Sequence, residues 1–106
     1  MSIHAFTPRQ GATFKRTCTT TSAKVDLTTG ADAPQLRLSA VNGASSATVV
    51  HVILGTTGTT PTATTSDFVI PIGQSLVISK SQSYTVVAAR TDTGTADLYV
   101  TPGDGI

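Results

Sequence analysis

The chain has 106 residues and a net charge of +1, with 39% hydrophobic and only 12% charged residues; Thr and Ser fill 31 positions, 21 of them Thr, while Glu and Trp are absent and Lys occurs three times. Length restricts it to one domain around one core, and the shortage of helix formers against an excess of β-branched residues excludes a helical bundle or coiled coil. The scattered basic residues form no concentrated patch for phosphates, so no nucleic acid partner is expected.

No membrane partner is expected either, because the longest apolar run, Val49 to Leu54, is far below the roughly 20 residues that cross a bilayer. The segment MSIHAFTPRQ lacks a basic region followed by an apolar one, so no secretory signal is visible. A single cysteine, Cys18, cannot form an intrachain disulfide, and synthesis in a cytoplasm follows as the expectation.

In chain order, residues 1–12 show no periodicity and read as an extended arm. Thr13 to Thr19 form a candidate strand with Phe14 and Cys18 inward. Ala23, Val25 and Leu27 alternate with Lys24, Asp26 and Thr28, and Leu36, Leu38 and Ala40 alternate with Arg37 and Ser39, the period of two that places one face on a core. Asn42 to Ser46 read as a turn, making a hairpin of the runs on either side. Thr48 to Leu54 is apolar on both faces and reads as a central strand covered on both sides.

Gly55 to Thr65, GTTGTTPTATT, is a loop without apolar periodicity, long enough to serve as a contact element. Phe68, Ile70 and Ile72 alternate, and Ile70-Pro71-Ile72-Gly73 reads as a turn with Pro second. Leu76 and Ile78 resume the pattern; Tyr84 to Ala89 form a well-buried strand, and Asp92-Thr93-Gly94 a short turn. Ala96, Leu98 and Val100 mark the last strand, after which Thr101-Pro102-Gly103-Asp104 fits a type II turn. About eight short strands at regular spacing predict an all-β fold: a single-domain, jelly-roll-like β-sandwich over residues 13–106, preceded by the arm at 1–12.

Reactive side chains are few: two His, one Cys and six Asp. His51, in the central strand, reads as a buried, hydrogen-bonded residue rather than a general base; His4 falls in the arm. No paired-histidine spacing marks zinc, no D-x-D-x-D-G pattern marks calcium, and no glycine pattern cradles a nucleotide. Cys18 reads as a small strand residue rather than a nucleophile. Asp32 and Asp92 read as turn residues bonding local backbone, with Asp92 and Asp97 the pair able to approach across the final hairpin. A non-enzyme without cofactor or metal is the expectation. The Thr and Ser excess suits pleated sheets, and hydroxyl surfaces pack against protein at less desolvation cost than Lys or Glu. With few Lys to guard its edges, such a sandwich is expected to self-associate.

The stretch from Leu36 to Ile106, with NGASSATVVHVILGT, TATTSDFVIPIGQSLVIS and YTVVAARTDTGTADLYVTPGDGI, resembles small β-sandwich structural proteins of tailed bacteriophage virions, of the capsid decoration or cement type. Residues 1–35 carry none of the likeness. The resemblance implies a chain made in the host cytoplasm that sits on the capsid surface as a homotrimer, bridging units of the major capsid protein. Under that reading Phe6 and Arg9 of the arm, and Thr56, Thr57, Thr59 and Thr60 of the long loop, are candidate contacts with the shell or a neighbouring subunit. The alternative is a carbohydrate-binding module of a tail fibre or host-recognition protein, which would want exposed aromatics where this chain has two Tyr, three Phe and no Trp. A small hydrolase would need His4 or His51 paired with a nucleophile.

Overall fold

A computed structural model describes residues 6–43 and 47–104, which form nine strands in two antiparallel sheets. They are β1 (Thr7–Pro8), β2 (Phe14–Cys18), β3 (Ala23–Asp26), β4 (Gln35–Asn42), β5 (Val49–Thr56), β6 (Phe68–Pro71), β7 (Ser75–Ser79), β8 (Tyr84–Thr91) and β9 (Ala96–Asp104). The pairing is nested: β5 with β6, β4 with β7, β3 with β8 and β2 with β9. The chain is therefore one long antiparallel ribbon, with the loop after β5 at its tip. Rolling that ribbon also brings β9 against β4 and β8 against β5. The resulting sheets run β2-β9-β4-β7 and β3-β8-β5-β6, with β1 on the same edge of β9 as β2. This is the strand order of an eight-stranded jelly roll, with β1 as an addition.

The hairpin expected around Asn42 to Ser46 does not form. β4 lies in one sheet and β5 in the other, so this connection crosses between layers; residues 44–46 lie outside the described part. A short polar connection permits a hairpin without compelling one, because β4 already has β7 and β9 on its two edges and offers none to β5.

Alternation builds the core. Cys18, Leu36, Leu38, Leu98 and Val100 come from one sheet, and Val50, Val52, Ile70, Val87 and Ala89 from the other. Each large apolar side chain removed from water contributes about 1.5–3 kcal/mol. Val86 and Ala88, on the opposite face of β8, are buried as well. The loop of residues 57–67 doubles back over that face: Pro61 packs on Gly55, leaving no room for a Cβ there, and the Ala63 N–H donates to Ser22 Oγ at 2.8 Å. This strap is why β5 is covered on both sides, as its two-sided apolarity predicts.

Two turns differ from their sequence reading. The Gln74 N–H donates to the Pro71 carbonyl, and Gly73 has φ 88°, so the turn runs one residue later, Pro71–Gln74, with glycine where a type II turn needs positive φ. Thr101–Asp104 is no turn but the end of β9. Pro102 survives inside a paired strand because its missing donor faces a gap. The Gly43 N–H donates to Thr95 O, and the alternation of an antiparallel ladder continues through Val41, Ser39, Arg37 and Gln35 with their partners in β9, leaving Pro102 turned away from β4. On its other side the β1 register ends at Gly103 and the β2 register begins at Val100. Residues 9–13 bulge between them, and the Pro102 carbonyl accepts the Arg9 N–H at 3.0 Å.

Leu38 is fully buried between the sheets. Leu38→Ala should cost about 2–5 kcal/mol, read as a lower urea midpoint with an unchanged m-value.

Candidate binding face

The two sheets differ in what lies on their outer faces. Where the strap covers β5 and β8, the outer face of β2-β9-β4-β7 carries the hydroxyls of the alternating strands. Ser39 and Ser75 share a hydrogen bond of 2.7 Å across β4 and β7, and Thr13 and Thr101 one of 2.9 Å at the β9 edge. Thr17 Oγ1 donates to Asp97 at 3.2 Å, and Lys15 Nζ stands 3.8 Å from the same carboxylate. Arg37, Val41, Ser75, Val77 and Ser79 stand exposed and Tyr99 is half-buried. These side chains share one face because every second residue of four adjacent strands points the same way. A hydroxyl already bonded to its neighbour gives up little hydration when another protein covers it. The arrangement is suited to adhesion over an area rather than to gripping a small molecule.

The expected contacts at the N-terminus are held by the chain itself. The described part of the arm, residues 6–12, lies along β9 instead of projecting. Thr7 and Pro8 pair with Asp104 and Gly103, and the Phe6 ring fills the space a Cβ would need at Gly103. Arg9 spans two carboxylates, Asp32 at 2.6 Å and Asp104 at 3.1 Å. Its hydrogen bonds hold both carboxyls below the usual carboxylate range. His4 and the rest of residues 1–5 lie outside the described part.

The loop residues divide. Thr57 Oγ1 bonds Thr85 Oγ1 at 2.6 Å, and Thr59 donates its hydroxyl to the Thr56 carbonyl at 2.6 Å. Those hydroxyls fix the strap, although all four threonines, Thr56, Thr57, Thr59 and Thr60, stand exposed. An open depression at this end of the second sheet is lined by Lys24, Asp26, Thr28, Thr57 and Thr85, where the Lys24 ammonium is engaged by Asp26 at 3.3 Å.

The isolated reactive residues have structural partners. His51 is buried, its Nδ1 3.3 Å from the Asp67 carbonyl, tying the end of the strap to β5. Cys18 is buried in the core, and burial pushes its thiol up to about 11. Asp97 turns to Thr17 and Lys15, while Asp92 turns the other way. The Asp92 carboxylate accepts the Thr48 hydroxyl and the N–H groups of Thr48 and Val49, each N–H at 3.3 Å. A residue expected to bond its local turn thus also clamps the start of β5 from the β8–β9 turn. No signal in the sequence pairs positions that far apart. Among the described residues no group of three His, Cys or Asp side chains could hold a metal ion, and no helix is long and apolar enough to cross a membrane.

No family model matches the chain, and neither a curated protein nor a solved structure matches it.

Acid stability follows from the carboxylates. The Thr48 hydroxyl, joined by backbone N–H groups, holds the Asp92 carboxyl well below the usual range against the opposing effect of burial, and Arg9 does the same for Asp32 and Asp104. Groups with depressed folded pKa contribute stability that is present above the unfolded value, about 3.9, and lost as pH falls through the folded one. The melting temperature should therefore be flat from neutral pH to about 5 and drop below about 4. Asp92→Asn should melt lower than the parent at pH 7, with the gap narrowing as pH falls below about 4. Cys18 should resist Ellman's reagent at pH 8 in the native protein and react at once in guanidinium.

Proposed function

We propose that the chain is a non-enzymatic structural protein of a bacteriophage virion, a head decoration or cement protein whose partner is the major capsid protein on the outer surface of the shell. The observation that carries this reading is the pairing of a jelly roll with one open, hydroxyl-lined face while the chain's own strap covers β5 and β8 on the opposite face. Jelly rolls build viral capsids and lectins alike, and fold by itself does not assign function; the second support is the resemblance to phage virion proteins read in the sequence from Leu36 to Ile106, a stretch that starts one residue into β4 and runs past β9. Bridging needs area and complementarity, with no bond made or broken. A plate of Thr and Ser laid across the seam between two capsid units adds contact that must be lost before the seam opens. Self-association raises the effective concentration of each further contact.

Cryo-electron microscopy of the parent virion tests the placement: density for this chain on the capsid exterior is expected, and its absence there overturns the proposal. The face is tested by co-sedimentation with phage heads stripped of the chain. Arg37 and Thr17 are exposed on it, and the double variant Arg37→Glu, Thr17→Lys should lose at least about tenfold in binding, or 1.4 kcal/mol, with the fold retained by circular dichroism. Undiminished binding excludes this face; binding to a glycan array in place of heads would favour a carbohydrate-binding module.

A further inference from the structure

Strand β7 ends the β2-β9-β4-β7 sheet and leaves one edge unpaired among the described residues. Soluble proteins usually blunt such an edge with Lys, Pro, a bulge or a covering loop. Here Ser75-Leu76-Val77-Ile78-Ser79 contains no charge and no proline, and its pairing with β4 runs without a break. Lys80, the residue that follows the strand, is drawn aside, its Nζ donating to the Ala31 carbonyl at 2.7 Å. Leu76 is 37% and Val77 47% exposed. On the other sheet β6 is the corresponding last strand, joined to β7 by the tight turn at Pro71–Gln74, and it too exposes Phe68 and Val69.

The direction of the free backbone groups can be read from the ladder. Ala40 N–H donates to Gln74 O, and Lys80 N–H to Pro34 O. Alternation then turns Leu76 and Ile78 toward β4, and leaves the N–H and C=O groups of Ser75, Val77 and Ser79 facing outward.

We infer that β7 is a self-pairing edge: two copies join antiparallel about a two-fold axis at Val77, merging their sheets into one. In that register Val77 meets Val77 of the second copy, Ser75 meets Ser79, and Leu76 meets Ile78. The three outward-facing residues are the ones that become hydrogen-bonded pairs, two main-chain bonds to each pair. The side chains match as well, since the five-residue strand reads nearly the same in both directions: serine against serine on the outer face, Leu against Ile on the core side. Charge does not oppose the contact. Arg37, which faces Val77 from β4, would stand three strand spacings, about 14 Å, from its symmetry mate, beyond the Debye length of about 8 Å at physiological salt. A two-fold contact of this kind is closed, so the free β7 edges are used up at the dimer. The area of one short strand pair falls in the class of weak, reversible interfaces, and the dimer dissociates on dilution. The inference rests on the β7 edge alone and does not require the virion reading.

Light scattering and sedimentation equilibrium over a wide concentration range test it. The mass should climb from one chain toward two, and the amides of Val77 and Ser79 should exchange more slowly at high concentration. Val77→Lys should remain a single chain throughout with its circular dichroism unchanged, whereas Val41→Lys, exposed at the end of β4, should dimerise like the parent. A parent that stays monomeric, a mass of three chains, or a Val77→Lys protein that still dimerises overturns the inference. Failure here leaves head binding untouched, and failure of head binding leaves the dimer untouched.

Discussion

Strand β9 is the constraint around which the jelly roll closes. It pairs with β4 along one edge and with β1 and β2 along the other, so its own backbone groups must find partners on both sides over nearly its whole length. The one place where it cannot, the nitrogen of Pro102, coincides with the gap between the β1 and β2 registers. Gly103 beside it has no Cβ, which lets the Phe6 ring and the Thr7 carbonyl come close. Proline and glycine at the end of this strand thus fix where the N-terminal segment attaches.

Nested pairing explains why so little charge suffices. A rolled antiparallel ribbon pairs the inner strands of each sheet on both edges and buries one face of each strand, so stability comes from apolar area and ladder bonds. The few charges left are spent locally: Arg9 on Asp32 and Asp104, Lys24 on Asp26, Lys15 on Asp97. Exposed pairs of this kind contribute little to stability. Arg9 has a topological use, since it joins the start of the chain to the connection before β4 and the end of β9.

The two sheets then take different outer coverings. One is covered in part by residues 57–67, with Pro61 packed on Gly55 of β5 and Ala63 bonded to Ser22 just before β3. The other keeps its serines and threonines in view and ends in an uncharged edge. The proposed contacts use two different features of this sheet, the hydroxyl face by its side chains and the β7 edge by its backbone. Neither requires a convergent set of reactive groups, and the buried positions of His51 and Cys18 place them in packing roles.

The alternation of apolar and polar residues determined the strands: Phe14 and Cys18, Leu36 to Ala40, Val49 to Leu54 and Ala96 to Val100 all face as their period of two dictates, because side-chain direction in a strand is a local property. Hydroxyl enrichment was legible in the same way, as was the two-sided burial of β5. Tertiary structure alone decided which strands meet. The Asn42 to Ser46 connection carries no mark separating a hairpin from a crossing between layers, and Thr101-Pro102-Gly103-Asp104 has the composition of a turn until β1 and β2 leave a gap for its proline. Which face stays open was likewise invisible, because it depends on the strap returning over the other sheet. Asp92 reaching Thr48, the docking of residues 6–9 and the free edge of β7 all depend on partners far away in the chain, and a one-dimensional pattern records a residue's direction but not its neighbour.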